Sequence, residues 1–484
     1  MNSVPSSAQQ PSSKSQEARF VAASARKSED DVHRKRLLKI ISNYDSVVVA
    51  QKENQFIDWQ AARTLGSRIK EHTLTNLPAL LEQFEANAIK NGVNVLWAKD
   101  TAEAQQHVLD IVKRHSVKKA VKSKSMISEE ILMNEFLEHQ GVEVCESDLG
   151  ELIQQLAGEK PYHIVTPAMH KSKEEIGELF KRTLGCEMTD NAEELTGIAR
   201  DHLRGAYTTA DLGISGANFL LADDGSILIL ENEGNARLST ACPKVHLSVA
   251  GIEKVLPSIK DLELFIPLLA TSGTGQQFTA YNSIIRGPKR AGEADGPDTM
   301  YLILLDNGRT TIYSKPEVRA SLSCIRCGAC LNACPVYKTV GGHSYNTPYS
   351  GPIGAVITPH LKGMKEWGHL SYASSLCGAC TDVCPVKIPL HHMLLTNRQE
   401  ASRTNPSLFW STALKGWAFV MKGRNRLSIG SKAAVVGSRL LSLLAPSFAK
   451  RFPQPAPRTF AQMWATGSTD RDAHGETKRG KDGK

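Results

Sequence analysis

The chain has 484 residues, of which 41% are hydrophobic and 22% are charged, and its net charge is +8 at pH 7. This length accommodates two or three domains, and the composition is typical of a globular protein, which excludes fibrous and largely disordered classes. The sequence contains no uncharged apolar stretch of 18 residues and no apolar signal region near its start, so we expect a cytoplasmic protein without a membrane span.

The first part of the chain is predicted to be helical after a disordered extension. Residues 1–31 are rich in Ser, Gln and charged residues, and we expect them to be disordered. Beyond them the apolar residues follow helical spacings, as at Leu74, Leu77 and Leu81. Pro78 lies inside that run, where a new helix would accommodate it in its first turn.

Short apolar runs alternate with helical stretches in the next part, which indicates βαβ units and a mostly parallel sheet. The Asp223-Asp-Gly225 turn predicts a hairpin between two of these runs. We assign residues 32–312 to one α/β domain. The predicted strands are Val93–Trp97, Lys119–Lys122, Val142–Cys145, His163–Thr166, Phe219–Ala222, Ser226–Leu230, Lys244–Val249 and Tyr301–Leu305.

Seven of the ten cysteines lie between residues 324 and 384, in two related motifs. The first motif reads Cys324-Ile-Arg-Cys327-Gly-Ala-Cys330-Leu-Asn-Ala-Cys334-Pro335, which is the C-x2-C-x2-C-x3-C-P spacing of a bacterial iron–sulfur ferredoxin. The second motif reads Cys377-Gly-Ala-Cys380-Thr-Asp-Val-Cys384-Pro385 and has Ser374 in the place of its first cysteine. This clustering favours metal over a disulfide scaffold, and zinc sites usually have two clean CxxC pairs instead.

In ferredoxin motifs of this kind, the fourth cysteine ligates the cluster of the other motif. Interleaving therefore predicts two sets of ligands. The first cysteine set comprises Cys324, Cys327, Cys330 and Cys384, and the second comprises Cys334, Cys377 and Cys380.

The fourth position of the second set falls on Ser374, and three alternatives are open. The cluster is a [4Fe–4S] cluster whose fourth iron is held by Ser374, another residue or water; or it is a [3Fe–4S] cluster; or its fourth iron is open to a partner or substrate. We favour a [4Fe–4S] cluster with a non-cysteine or open fourth site.

Residues 313–400 are assigned to a helical two-cluster ferredoxin-type domain, residues 401–465 to a basic helical domain and residues 466–484 to a disordered tail. The segment 401–469 contains ten Lys or Arg residues and no Asp or Glu. It suits an acidic partner subunit or an anionic membrane surface, and we favour the partner over the membrane and over nucleic acid. Its interspersed aromatic residues are Phe409, Trp410, Trp417 and Phe419.

Polar residues after predicted strands are secondary candidates. The run 232–237 (Asn-Glu-Gly-Asn-Ala-Arg) and the lysines Lys122 and Lys124 lie where open α/β sheets bind ligands, and they suit a hydroxy acid. A polar loop satisfied by its own backbone and a solvated basic loop are the competing interpretations. The stretch 271–276 weakly resembles a phosphate-binding nest. We interpret Cys145, Cys186, Cys242, His163, His170 and His246 as structural residues.

These motifs closely resemble the lactate utilisation protein B family, the iron–sulfur subunit of an L-lactate oxidation system. Ala210-Asp-Leu-Gly-Ile-Ser-Gly-Ala-Asn218 resembles the lactate-utilisation (LUD) domain, whose α/β fold is similar to that of sugar isomerases and CoA-transferases. Gly341-Gly-His-Ser-Tyr-Asn and Tyr349-Ser-Gly-Pro-Ile-Gly-Ala355 resemble the cluster domain of the family. Arg458-Thr-Phe-Ala-Gln-Met-Trp464 resembles its C-terminal domain, and the missing eighth cysteine is a family feature.

The resemblance implies an electron-transfer component that works with a cysteine-rich subunit and a second LUD protein in the oxidation of L-lactate to pyruvate. Which subunit carries out the chemistry does not follow from the sequence, and we assign two iron–sulfur clusters and no catalytic residue to this chain. In the alternative hypothesis, the α/β domain is itself the catalytic part of a cluster-dependent hydroxy-acid oxidoreductase. We expect a cytoplasmic location, with peripheral contact at the inner face of the membrane as an alternative.

Overall fold

A computed structural model describes residues 13–406, 408–444 and 460–465 of the chain. The chain divides into two compact units, Met1–Thr404 and Asn405–Lys484. The predicted α/β domain and the predicted cluster domain both lie in the first unit.

Four helices precede the first strand: α1 (Ser13–Glu29), α2 (Asp31–Gln55), α3 (Trp59–Thr75) and α4 (Leu77–Lys90). Asp30 and Asp58 cap α2 and α3, because their carboxylates accept hydrogen bonds from backbone N–H groups of the first turn. Pro78 lies in the first turn of α4, as predicted.

The disorder predicted for residues 1–31 is wrong for residues 13–29, which form α1. Polar composition hides an apolar contact here, since the ring of Phe20 packs edge-on against Tyr345 with 5.6 Å between centroids. Residues 1–12 lie outside the described residues.

The strands are β1 (Val93–Ala98), β2 (Lys119–Lys122), β3 (Glu143–Glu146), β4 (Leu212–Gly216), β5 (Phe219–Leu221), β6 (Ser226–Glu231), β7 (Val245–Gly251), β8 (Val255–Leu256), β9 (Tyr281–Ile285) and β10 (Thr299–Leu305). Six of them form a parallel sheet in the order β1-β10-β7-β4-β2-β3. A second sheet has the order β8-β5-β6-β9 and contains the predicted hairpin as the antiparallel pair β5–β6. The central strands β7 and β10 are buried on both faces, which explains their continuous apolar sequence.

The helices of this α/β part are α5 (Thr101–Arg114), α6 (Met126–Glu130), α7 (Met133–His139), α8 (Leu149–Ala157), α9 (Lys173–Leu184), α10 (Ala192–Thr209), α11 (Asn235–Ala241) and α12 (Leu262–Thr274).

One predicted strand is absent in this region. The strand predicted at 163–166 is a loop, because the ring nitrogen Nδ1 of His163 accepts hydrogen bonds from the backbone N–H groups of Val165 and Thr166 and so holds a tight turn. The stretch 271–276, with its weak resemblance to a phosphate-binding nest, is mostly the C-terminal turn of α12, which ends at Thr274.

Short helices surround the cysteine motifs, as predicted: α13 (Arg309–Tyr313), α14 (Pro316–Arg319), α15 (Ala329–Ala333), α16 (Pro335–Val340), α17 (Gly351–Lys362), α18 (Met364–Trp367), α19 (Ala379–Asp382) and α20 (Leu390–Thr404). Their core is continuous with that of the α/β part, because Leu37 of α2 and Phe265 of α12 belong to the same buried cluster as Leu331 and Ile353. The predicted boundary between residues 312 and 313 therefore does not interrupt the hydrophobic core.

The second unit contains α21 (Leu408–Met421), α22 (Arg424–Leu444) and α23 (Phe460–Ala465). Several of its apolar side chains are exposed, among them Leu414, Trp417 and Val436. None of the helices in the described ranges is long and apolar enough to cross a membrane. The predicted tail at 466–484 lies outside the described residues.

Candidate functional site

The four residues of the first cysteine set lie around one small cavity. Its wall contains Cys324, Cys327, Cys330 and Cys384, and apolar side chains that include Ile325 and Ile353 complete it. Three of these cysteines are buried and Cys324 is half-buried. The structure thus brings together side chains that are up to 60 positions apart in the sequence.

The electrostatics of this set fit an iron–sulfur group. Burial raises the pKa of Cys330, and the neighbouring sulfurs of Cys324 and Cys327 raise it further. Burial likewise raises the pKa of Cys384 to about 11. These neighbouring thiols in an apolar wall oppose one another's ionisation. They become thiolates when cationic iron lies between them, and an iron–sulfur cluster provides that iron.

The second cysteine set also comes together, nearer to the surface. Burial raises the pKa of Cys380 to about 11, and the neighbouring sulfurs of Cys334 and Cys377 add to this effect. Cys334 and Cys380 are buried, whereas Cys377 is exposed. The second set therefore has one edge in contact with solvent.

The two cysteine loops are copies of each other in backbone geometry. Arg326 and Leu376 both have left-handed φ angles, of 63° and 56°, which are uncommon for residues other than glycine. The backbone N–H of Arg326 donates to Sγ of Cys324 at 3.4 Å, and that of Leu376 donates to Oγ of Ser374 at 3.1 Å. Ser374 thus occupies the position that Cys324 has in the first loop.

Two arginines that hold the second loop were missed by the sequence reasoning. Nε of Arg63, on α3, donates to the carbonyl oxygen of Cys384 at 2.9 Å. Arg398, on α20, donates to the carbonyl oxygens of Ser371 and Ser374 at 3.0 and 2.6 Å. No local sequence signal identifies Arg63, because its partner lies 321 positions away.

A second cavity, of about 250 Å³, lies at the carboxyl ends of β2, β4 and β7. Its wall includes the predicted candidates Lys124, Asn232, Glu233 and Asn235, and it extends to Cys327 of the first cysteine set. The cavity is therefore located where open α/β sheets bind ligands, and ligand binding by these residues stays a prediction.

Lys122 fits neither interpretation left open by the sequence, because its side chain is buried and does not line the cavity. Lys122 is fully buried, and its ammonium forms ion pairs with Glu146 at 2.7 Å and with Glu129 at 3.2 Å. It supports the sheet edge as a structural cation.

Among the acidic groups of the cavity, Glu233 has a raised pKa. Burial and the nearby carboxylate of Asp148 raise the pKa of Glu233 to about 7, although its carboxylate accepts a hydrogen bond from the backbone of Leu149.

A buried ion network lies against the same cavity. Arg309 donates two hydrogen bonds to Glu130, at 2.8 and 2.9 Å, and one to Glu253 at 2.7 Å. Burial alone would raise the pKa of Glu253, but the guanidinium groups of Arg309 and Arg326 outweigh it and hold the pKa at about 2. Tyr349 donates to Glu130 at 2.6 Å and connects the network to the cluster region.

Comparison with known proteins gives two domain matches and a set of close relatives. Residues 81–305 match the LUD domain family, and residues 320–388 match the 4Fe-4S dicluster domain family. Lactate utilization protein B of Bacillus cytotoxicus is 43% identical over 439 residues, which are 88% of this chain and 90% of that protein. The protein of the same name from Shouchella clausii is 46% identical over 75% of this chain and 77% of its own length.

The corresponding protein of Bacillus subtilis is 47% identical over 343 residues, which are 71% of each chain. Among solved structures, a DUF162 family protein from Deinococcus radiodurans aligns with 47% of this chain and 98% of its own, at 13% identity and a TM-score of 0.28. That TM-score is too low to support a conclusion.

Proposed function

Because the chain belongs to the lactate utilization protein B family, we propose that it is the iron–sulfur electron-transfer subunit of a cytoplasmic system that oxidises L-lactate to pyruvate. The observation that carries this proposal is the pairing of two interleaved cysteine sets within one dicluster domain. A single cluster would suffice as a structural staple, whereas two adjacent clusters suit electron transfer.

We assign Cys324, Cys327, Cys330 and Cys384 to one [4Fe–4S] cluster, and Cys334, Cys377 and Cys380 to a second. Such clusters accept and donate electrons one at a time. The chain's own residues keep water from the first set through apolar walls, and they leave the second set with an exposed edge at Cys377. This arrangement favours exchange of electrons with a partner at the second set.

Redox-poised electron paramagnetic resonance (EPR) of the anaerobic protein tests the cluster assignment. We expect two reducible clusters per chain, and Cys330→Ser should alter only the first of them while Cys380→Ser alters only the second. A single cluster, or clusters that stay redox-silent over the physiological range, would overturn the proposal.

Growth tests the role in lactate use. Cells that lack the chain should fail to grow on L-lactate, and growth should return with the wild-type chain but not with Cys330→Ser. Normal growth of the deletion strain, in a background without another lactate dehydrogenase, would contradict the proposal.

The partners that we propose are a cysteine-rich subunit and a second LUD protein, with the basic second unit as a docking element. Its cations and exposed Trp417 and Leu414 suit an acidic, partly apolar surface. A chain that ends at Thr404 should no longer co-purify with the cysteine-rich subunit. In flotation with anionic vesicles, the truncated and the full chain should behave equally. If the truncated chain floats less than the full chain, the segment binds the membrane instead.

The second candidate function, a catalytic α/β domain, is favoured by the cavity that contains Glu233 and reaches Cys327. Purified protein, given L-lactate and an artificial electron acceptor, distinguishes the two functions. Turnover without partners would favour the enzyme, and its absence would favour the electron carrier.

A further inference from the structure

The cavity at the carboxyl ends of the parallel strands has a cationic end that adjoins the first cysteine set. Lys254 follows β7 in a short 3-10 turn, and Arg326 belongs to the first cysteine loop between Cys324 and Cys327. Both side chains line the cavity, beside Cys327. At about 250 Å³ the cavity is smaller than the pockets of drug-sized ligands, so it suits a small metabolite.

These two cations lack full protein counter-charges. The ammonium of Lys254 has no hydrogen bond or ion pair with any residue in the described part of the chain. Nη1 of Arg326 is buried and has no hydrogen-bond partner among those residues, while its Nη2 reaches Glu253 only at 3.4 Å. A buried donor without a partner is costly, so Nη1 of Arg326 points to a group that satisfies it.

The acidic groups nearby are already engaged. Glu253 receives the 2.7 Å hydrogen bond of Arg309, and Glu130 is held by Arg309, Asn307 and Tyr349. Burial is the main cause that lowers the pKa of Lys254 to about 8; Arg326 and Lys70 lower it too, whereas Glu253 and Cys324 raise it. The free donor of Arg326 and the unpaired ammonium of Lys254 in one cavity suit an anionic ligand.

Acidic side chains in the same cavity wall repel anions. Asp148, Glu231 and Glu233 line the cavity, and burial together with their mutual repulsion raises the pKa of Glu233 to about 7. A carboxylate is therefore expected beside Lys254 and Arg326 and not beside this acidic group.

We propose that this cavity binds the carboxylate of a small 2-hydroxy or 2-oxo acid, with the ammonium of Lys254 and the guanidinium of Arg326 as its counter-ions beside the first cysteine set. The ligand class rests on the proposed function, whereas the carboxylate site rests on the cavity and its unpartnered cations. Neither Lys254 nor Arg326 was a candidate from the sequence. A bidentate guanidinium and an adjacent ammonium match the geometry and charge of a carboxylate.

Calorimetric binding of pyruvate and of L-lactate to the anaerobic holoprotein tests this site. We expect saturable binding of one ligand per chain, and Lys254→Met should weaken it by about tenfold to a hundredfold, the effect of losing one charged hydrogen bond. Lys260→Met, which changes an exposed lysine six positions later, should leave binding unchanged.

Two further measurements distinguish loss of the ion pair from misfolding of the Lys254→Met variant. Lys254→Arg should restore binding relative to Lys254→Met, because it restores the charge. Pyruvamide, the uncharged analogue of pyruvate, should bind the wild-type protein at least about tenfold more weakly than pyruvate does, since it cannot form the ion pair.

The outcomes separate this inference from the proposed function. Two redox-active clusters without binding of pyruvate or L-lactate would overturn the carboxylate site and leave the electron-transfer role intact. Equal binding by Lys254→Met and wild type, with a shifted cluster potential in Lys254→Met, would assign the cation to the cluster alone and would also overturn the site. Binding with no redox-active cluster would overturn the proposed function instead.

Discussion

Ser374 stands where the first loop has a cysteine, and it carries a hydroxyl in place of the thiol. Its hydroxyl accepts the backbone N–H of Leu376, just as the sulfur of Cys324 accepts that of Arg326. The loop is therefore already shaped to present a sulfur at this position, where the side chains of Cys324 and Ser374 differ by a single atom, sulfur against oxygen.

The variant Ser374→Cys should complete the second cysteine set. We expect a changed EPR spectrum for the second cluster only, and slower loss of iron to a chelator, because a fourth thiolate replaces a weaker or open fourth site. Ser374→Ala is the matched control, since it removes the hydroxyl and adds no ligand. Unchanged spectra and iron content in Ser374→Cys would show that the loop does not present this side chain to a cluster.

His246 should make stability depend on pH. It is fully buried in β7, where Nε2 lies 2.8 Å from the hydroxyl of Ser215, and burial lowers its pKa from 6.5 to about 4. A lowered pKa in the folded state means that the unfolded chain binds the proton first, so this contribution is present above pH 6.5 and is lost as the pH falls toward 4.

Urea unfolding of His246→Gln and wild type between pH 7 and pH 4 checks this expectation. The variant should lose stability less steeply, by up to about 1.4 kcal/mol per pH unit, because one proton fewer is taken up on unfolding. Equal slopes would show that His246 is not the titrating group.

At this scale the sequence predicts residues whose partners are local and misses those whose partners are distant. The cysteines could be predicted, because their spacing is itself the signal. Lys122 was misjudged, because only the fold shows that Glu146 and Glu129 enclose its ammonium. Lys254 and Arg63 carry no pattern in the sequence at all.

At the scale of elements, α1 acts as a cover for the cluster region. Phe20 packs against Tyr345, and Tyr345 is fully buried next to Cys330 and Cys334. The helix is polar in composition, so the apolar contact of Phe20 is not visible as a pattern in the sequence. The helical connection between β2 and β3 and the β5–β6 hairpin could be predicted, because their apolar runs and turn residues are local signals.

Replacing Phe20 by Ala should loosen this cover. We expect a loss of about 1–3 kcal/mol in the free energy of unfolding, less than for a fully buried phenylalanine, since Phe20 is half-buried. Iron should also be released faster to a chelator. Val21→Ala serves as the control because Val21 is 58% exposed, and equal behaviour of the two variants would contradict a role of α1 as a cover.

At the scale of the whole molecule, Arg309 connects the sheet to the cluster region. Its guanidinium joins Glu130 of α6 to Glu253 after β7, and Glu130 also accepts a hydrogen bond from Tyr349. The fold class of the α/β part and of the cluster region, and their order along the chain, could be predicted from the sequence. Their fusion into one unit could not be predicted, because it depends on a shared core and on this network.

The variant Arg309→Met should be strongly destabilised, since it leaves the buried carboxylate of Glu130 without its cation and that of Glu253 with only its longer contact to Arg326. We expect a loss of about 3–5 kcal/mol in the free energy of unfolding, measured by urea denaturation of the anaerobic protein. The exposed Arg200 offers the control Arg200→Met, which should be neutral. A small effect of Arg309→Met would show that the network does not hold the two parts together.

The hydrogen bond between Arg63 and the carbonyl oxygen of Cys384 has a consequence for the synthesis of the protein. The two residues are 321 positions apart, so at about 5–20 residues per second α3 leaves the ribosome roughly 15 to 60 seconds before the loop that it holds. The first cysteine set is itself complete only when Cys384 has been synthesised. Iron can therefore be loaded into the first set only after most of the chain has been synthesised, and until then the apolar faces of the earliest helices lack their partners. We expect such a chain to depend on chaperones and on timely iron delivery more than a ferredoxin whose ligands emerge together.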